Sequence, residues 1–124
     1  MKKFVILLFM LLVCSLSVKA MSFSEAKSQT RPMAVLIYAN WADDMQTILS
    51  KYDSMAAKYA DKYNFTKIDI ATEEAKEFNK TYHIYPNLPY VLLFKDKGKI
   101  SRYLKKECVS DDACFKERLD FFAD

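Results

Sequence analysis

The chain has 124 residues, of which 52% are hydrophobic and 28% are charged, with one Gly and three Pro. This length and balance fit one globular domain and exclude intrinsic disorder and linker-like or collagenous chains. The formal net charge of +3 does not indicate a nucleic-acid partner, because residues 1–20 hold three lysines and no acidic residue, which leaves 16 basic and 16 acidic residues at 21–124.

Residues 1–20 are predicted to be a signal peptide. Two lysines and an apolar run precede Val18 and Ala20, which occupy the positions that signal peptidase reads, so cleavage is expected before Met21. The run is shorter than the roughly 20 residues of a membrane span. We expect an exported protein, periplasmic or extracellular, that meets the membrane only through this segment during export. An uncleaved anchor is one alternative, and lipoprotein processing at Cys14 is another, disfavoured by the bulky preceding residue.

The remaining residues, 21–124, are predicted to form one α/β domain. In chain order, hydrophobic periodicity predicts a helix at 24–29, a strand at 33–39 and a long helix at 43–62. A strand at 65–71, a helix at 72–82, a strand at 90–94, a strand at 99–104 and a final helix at 110–122 follow. The strands at 33–39 and 65–71 are both expected to be central in the sheet. This order predicts a mixed sheet of four to five strands with helices on both faces.

Three of the predicted helices begin with residues that suit a helix N-terminus. Asp43 and Asp44 fall in the first turn of the long helix, where carboxylates interact favourably with free N–H groups. Thr72 and Ser110 are expected to be N-caps of the next and the last helix, since a hydroxyl oxygen can accept a backbone N–H bond.

Four segments resemble the thioredoxin family in their order and spacing: VLIYANW at 35–41, KIDI at 67–70, YHI at 82–84 and LPYVLLF at 88–94. The hairpin at 95–100 and the last helix also match, so that the resemblance covers nearly all of residues 22–124. It implies a thioredoxin fold. It also places Pro89 where the family carries its cis-proline, facing the active-site loop.

The same resemblance predicts that the redox centre of the family is absent. Thioredoxins carry Cys-x-x-Cys at the start of the long helix, where the helix N-terminus lowers a thiol pKa. Ala42 and Met45 occupy those two positions here. Leu36 stands where the family buries an acid that helps the second thiol to lose its proton. We therefore predict no catalytic residue and no cofactor at the usual site, which disfavours an enzyme.

Cys108 and Cys114 are the two cysteines that remain after cleavage of the signal peptide. Paired cysteines in an oxidising compartment are most often a structural disulfide, which here would fix the last helix on the sheet. The alternative is a displaced redox pair acting as a thiol–disulfide oxidoreductase, which nearby Asp111 and Asp112 disfavour because negative charge raises a thiol pKa. Two cysteines and the single His83 cannot complete a four-ligand zinc site, so no metal is predicted.

The resemblance implies a peptide-binding groove formed by Trp41, Pro89 and Tyr90. Family members bind extended chains beside the cis-proline by strand addition, which needs no thiol. Trp41 has a second interpretation, in which it only packs against the sheet. The preferred prediction is a non-catalytic or chaperone-like module that binds extended protein segments. The alternatives are the oxidoreductase acting through the displaced cysteines and a structural subunit of an envelope assembly.

Overall fold

The computed structural model describes residues 22–42 and 44–123. The predicted signal peptide, Cys14 and Asp43 therefore lie outside the described residues. In the part that is described, no helix has both the length and the apolar character needed to cross a membrane.

The structure confirms the predicted α/β class. Its elements are α1 Phe23–Lys27, β1 Met33–Tyr38, α2 Met45–Lys58, β2 Asn64–Asp69, α3 Glu73–Tyr82, β3 Tyr90–Lys95, β4 Ile100–Leu104, α4 Lys106–Val109 and α5 Asp112–Ala123. Each predicted element is present, with ends shifted by a few residues. The short helix α4 is an addition that hydrophobic periodicity did not indicate.

The described strands form one mixed four-stranded sheet in the order β2-β1-β3-β4. β1 pairs in parallel with β2 and antiparallel with β3, and β3 pairs antiparallel with β4. The prediction that the strand at 65–71 is central was wrong, because β2 lies at one edge of this sheet. Its residues alternate between buried and half-buried, which is the pattern of a strand with incomplete cover, whereas the first five residues of β1 are all buried.

Helices cover both faces of the sheet, as predicted. Leu36 of β1 belongs to the core formed under α2 and α5, while its neighbours Val35 and Ile37 belong to the core formed under α1 and α3. Side chains of a strand alternate between its two faces, so one continuous apolar strand supplies both cores. Each fully buried side chain of this size contributes about 1.5–3 kcal/mol to folding.

Tyr52 of α2 ties the two parallel strands together. Its hydroxyl lies 2.8 Å from the carbonyl oxygen of Ala34 in β1 and 2.7 Å from that of Thr66 in β2, so one proton is shared between two acceptors. The side chain is 1% exposed. Burial raises the pKa of Tyr52 well above its ordinary value, which keeps the hydroxyl a donor.

Thr72 caps α3 as predicted, since its hydroxyl oxygen accepts the N–H of Ala75 at 3.3 Å. The long helix is present, but the prediction that Asp44 lies in its first turn was wrong. This helix begins at Met45, after Asp44, which has a left-handed backbone (φ 60°) and makes no side-chain capping bond. Asp44 is therefore outside the first turn, where its carboxylate was expected.

Ser110 does not cap the last helix, which corrects a second prediction. Because the chain first forms the turn of α4, Ser110 ends that helix, and its backbone N–H donates to Lys106. Asp111 takes over the capping role. Its Oδ1 accepts the backbone N–H groups of Ala113 at 3.0 Å and Cys114 at 3.3 Å.

Candidate functional site

The loops that carry the predicted binding residues leave neighbouring strands at one end of the sheet. β1 and β3 run antiparallel with Ile37 opposite Tyr90. The C-terminal end of β1, which leads to Trp41, is therefore beside the N-terminal end of β3, which follows Pro89. We term this the loop end of the sheet.

Trp41 is 72% exposed at the loop end. A turn in which the N–H of Ala42 donates to the carbonyl of Ala39 at 3.0 Å shapes the loop. The side-chain amide of Asn40 donates to Asp69 of β2 at 3.2 Å and anchors it. The structure therefore excludes the interpretation in which Trp41 only packs against the sheet.

The positions that the family resemblance assigns to the redox centre are filled by packed apolar side chains. Met45 and Leu36 are 5% and 0% exposed and share one core, and half-buried Ala42 packs against that core. None of the three side chains is a nucleophile or can exchange a proton. This part of the molecule is a continuation of the hydrophobic core.

In the segment before β3, the peptide bond between Leu88 and Pro89 is cis, as at the position of the family's cis-proline. Pro89 and Tyr90 are both buried, and the hydroxyl of Tyr90 accepts the backbone N–H of Tyr85 at 3.1 Å. The expectation that these two side chains contact a peptide needs correction, because β3 is an inner strand with both faces covered. Neither side chain is exposed to a ligand.

Three tyrosines form an aromatic cluster that the sequence analysis did not identify. Tyr85 contacts Tyr90 and Tyr103 at 5.5 Å between ring centroids, and Tyr90 contacts Tyr103 at 5.1 Å. Burial raises the pKa of Tyr90. Burial, followed by the charge of Glu107, raises the pKa of Tyr103. Tyr85 and Tyr103 are 46% and 43% exposed, so the cluster presents a neutral aromatic surface. The register of β3 with β4, which pairs Leu92 with Tyr103, puts Tyr103 on the same face as Tyr90, and the sequence alone does not give this register.

The predicted Cys108–Cys114 disulfide is formed, with 5.1 Å between the two Cα atoms. It joins α4 to the first turn of α5. Cys108 is 6% exposed. Because the carboxylate of Asp111 accepts the N–H of Cys114, a negative charge occupies the helix N-terminus that would otherwise stabilise a thiolate.

Within residues 22–42 and 44–123, no group of three or more His, Cys, Asp and Glu side chains is placed to hold a metal ion. His83 is exposed at the C-terminal end of α3, with a positive φ of 59°.

Comparison with protein-family models matches residues 15–112 to the thioredoxin family. Among solved structures, a thioredoxin of Malassezia sympodialis is 17% identical, with a TM-score of 0.66 over 83% of this chain and 87% of that chain. The germline-specific thioredoxin Deadhead of Drosophila melanogaster is 18% identical, with a TM-score of 0.62 over 78% and 85%. A cysteine-to-serine mutant of an Entamoeba histolytica thioredoxin is 19% identical, with a TM-score of 0.61 over 78% and 87%. Comparison with curated proteins gives no match. At these identities the structural likeness concerns the fold alone.

Proposed function

The chain belongs to the thioredoxin family, and from this premise we propose that it is a non-catalytic module that binds extended protein segments at the loop end of the sheet. The observation that carries the proposal is the 72% exposure of Trp41 beside two positions, Ala42 and Met45, whose side chains are apolar and packed. A large aromatic side chain that is exposed on a loop buries little apolar area and contributes little to folding, whereas exposed aromatic residues are common anchors in binding surfaces.

The neighbouring features support an extended ligand. The backbone beside Pro89 can pair with another chain without any side-chain chemistry, as strand addition requires. The exposed rings of Tyr85 and Tyr103 provide further aromatic surface near the start of β3. Neutral aromatic groups contact many different sequences, which suits a chaperone-like module.

The single tryptophan of the chain allows a direct test. A permanently unfolded, carboxymethylated polypeptide that lacks tryptophan is titrated into the protein, and the emission of Trp41 is followed. We expect a blue shift on binding, because the indole leaves water. We also expect Trp41→Ala to lose affinity by about tenfold, measured by the anisotropy of the labelled polypeptide, since a buried interface aromatic contributes on the order of 1–2 kcal/mol or more.

A matched control is Ile100→Ala, which removes another exposed hydrophobic side chain (40% exposed) at the far end of β4. This variant should bind as the unmodified protein does. Equal affinity of the Trp41→Ala variant and the unmodified protein, with no emission shift, would refute the proposal.

An exported setting is part of this proposal, because the segment 1–20 has the pattern of a signal peptide. The N-terminus of the protein recovered outside the cytoplasm, determined by mass spectrometry, should begin at Met21. A lipid-modified N-terminal Cys14 would instead favour lipoprotein processing.

A thiol–disulfide oxidoreductase acting through Cys108 and Cys114 is the second candidate, favoured by the presence of the disulfide at the start of α5. It predicts a reduction potential between roughly −120 and −270 mV and loss of activity in Cys108→Ser. A potential below about −300 mV is typical of structural disulfides and would leave the binding module as the function.

A further inference from the structure

A groove of about 390 Å³ lies between β4 and α5. It reaches Tyr103 of the aromatic cluster, but Trp41, Tyr85, Pro89 and Tyr90 are not among its lining residues. Leu104 and Phe122 contribute to its apolar lining, and the Cys108–Cys114 disulfide borders it. Three basic residues also line the groove, and no acidic residue does: Arg102, Lys105 and Arg118. The groove is therefore apolar inside and positively charged around its opening.

The three cations have no acidic partner in the described part of the chain. None of the five ion pairs found there includes Arg102, Lys105 or Arg118. The N-terminal segment 1–20 carries lysines and no acidic residue, so its charge does not complement the groove either. Glu107 is close enough to Tyr103 to raise its pKa, but it forms no ion pair with the three cations. Their excess of positive charge favours a negatively charged ligand.

Phe121 adds an apolar contact at the same place. It lines the groove and is 74% exposed. The inward positions of α5 are Phe115, Leu119 and Phe122, so Phe121 lies off the stripe that packs on the sheet. An exposed phenylalanine beside basic residues is suited to contact an apolar side chain within an acidic ligand.

The strand that borders the groove has an unpaired edge. In the described sheet β4 pairs with β3 alone, and four of its five residues are exposed. A strand at the edge of a sheet presents N–H and C=O groups to which an extended chain can add. Because side chains alternate, Arg102 and Leu104 share the groove face of β4, and an added strand would direct every second side chain over the groove.

We propose that β4 and this groove bind an extended acidic segment of a partner protein by strand addition. Carboxylates on alternate residues would face Arg102 and Arg118, and an apolar residue would contact Phe121. The free backbone edge favours a polypeptide over a nucleic acid or an anionic membrane, because phosphate oxygens only accept hydrogen bonds and cannot pair with the C=O groups of the edge. Charge balance across residues 21–124 also disfavours phosphate tracking.

The probe is a fluorescent seven-residue peptide in which glutamate alternates with valine and one inner glutamate is replaced by leucine, so that the remaining glutamates and the leucine lie on the same face. The readout is anisotropy. Arg102→Gln combined with Arg118→Gln should weaken binding by about tenfold, because two charge contacts are lost. The matched control, Lys76→Gln combined with Lys80→Gln, removes the same charge from α3 on the other side of the sheet and should change affinity by less than about twofold. Equal weakening in both variants would overturn the proposal.

Strand addition is tested on the peptide backbone. One version carries N-methyl groups on one alternate set of residues and a second version carries them on the other set. Only the set whose N–H groups face β4 is needed, so one version should lose binding and the other should retain it. If both versions bind equally well, the peptide is held by its charges alone and the strand-addition proposal is wrong.

Two further measurements test whether the peptide binds at this groove rather than at the loop end, and whether binding is specific for a polypeptide. Trp41→Ala should leave the affinity for the acidic peptide unchanged, whereas a loss would place the peptide at the loop end and overturn the second site. Single-stranded DNA and vesicles of anionic phospholipid should fail to displace the peptide at equal anion concentration. Displacement by either would show a non-specific anion surface and also contradict the proposal.

Discussion

Removal of the Cys108–Cys114 disulfide tests whether this bond is a structural clip. The two cysteines are six residues apart. A loop this short, when closed in the unfolded chain, lowers its conformational entropy by an amount worth about 2 kcal/mol at 25 °C. The double variant Cys108→Ala and Cys114→Ala should therefore unfold with a free energy lower by about that amount.

Urea denaturation followed by circular dichroism measures this loss. With a slope of roughly 1–1.5 kcal/mol per molar urea for a chain of this size, the midpoint should fall by roughly 1–2 M. Reduction of the unmodified protein should produce a similar fall, while the double variant should be insensitive to reductant. If reduction leaves the midpoint unchanged, the interpretation as a stabilising disulfide is refuted and the oxidoreductase candidate is favoured.

Substitutions at three other positions test contacts in the core and at a helix end. Tyr52→Phe removes the hydroxyl that donates to two strand carbonyls and should lower the free energy of unfolding by about 1–2 kcal/mol. A stability equal to that of the unmodified protein would contradict the shared hydrogen bond. Burial, followed by a 2.7 Å hydrogen bond to Asp120, raises the pKa of Tyr59 from 10.0 to about 12. The protonated Tyr59 hydroxyl therefore stabilises the folded protein fully below pH 10, and this stabilisation is lost as pH rises to about 12. The stability difference between the unmodified protein and Tyr59→Phe should accordingly narrow in urea denaturation over that interval, and a constant difference would contradict it. Asp111→Ala should cost about 1 kcal/mol by the same assay and Asp111→Asn much less, because an amide oxygen can still cap α5.

The order of helices and strands was predictable because it depends on patterns that are local in the sequence. The apolar runs at 33–39 and 90–94 are long enough for a strand and too short for a helix, and both became inner strands. The position of β2 was not predictable in this way. Which strand pairs with which is a long-range property, and the half-buried Lys67 and Asp69 were the local sign of its incomplete cover.

The site was less predictable because exposure depends on register and on neighbouring loops. Trp41 and Tyr90 are both aromatic, yet the first is 72% exposed and the second is fully buried. A continuous apolar run has no alternation that would assign Tyr90 to a face. Arg102 and Arg118 belong to different elements, and only the turn of α4 and the disulfide bring them to one groove.

The loss of the thiol positions and the packing of the core are two aspects of the same local change. In a thiol enzyme, a buried acid beside the active cysteines carries a desolvation cost that its chemistry requires. Leu36 removes that cost, and Met45 completes the core beside it at 5% exposure. A carboxylate at position 36 would face this apolar surface, with no cysteine at position 42 or 45 whose proton it could accept. Beneath the loop, the positions that the family resemblance assigns to the redox centre thus hold packed apolar side chains, and Trp41 is the most exposed aromatic group of the described residues at this end.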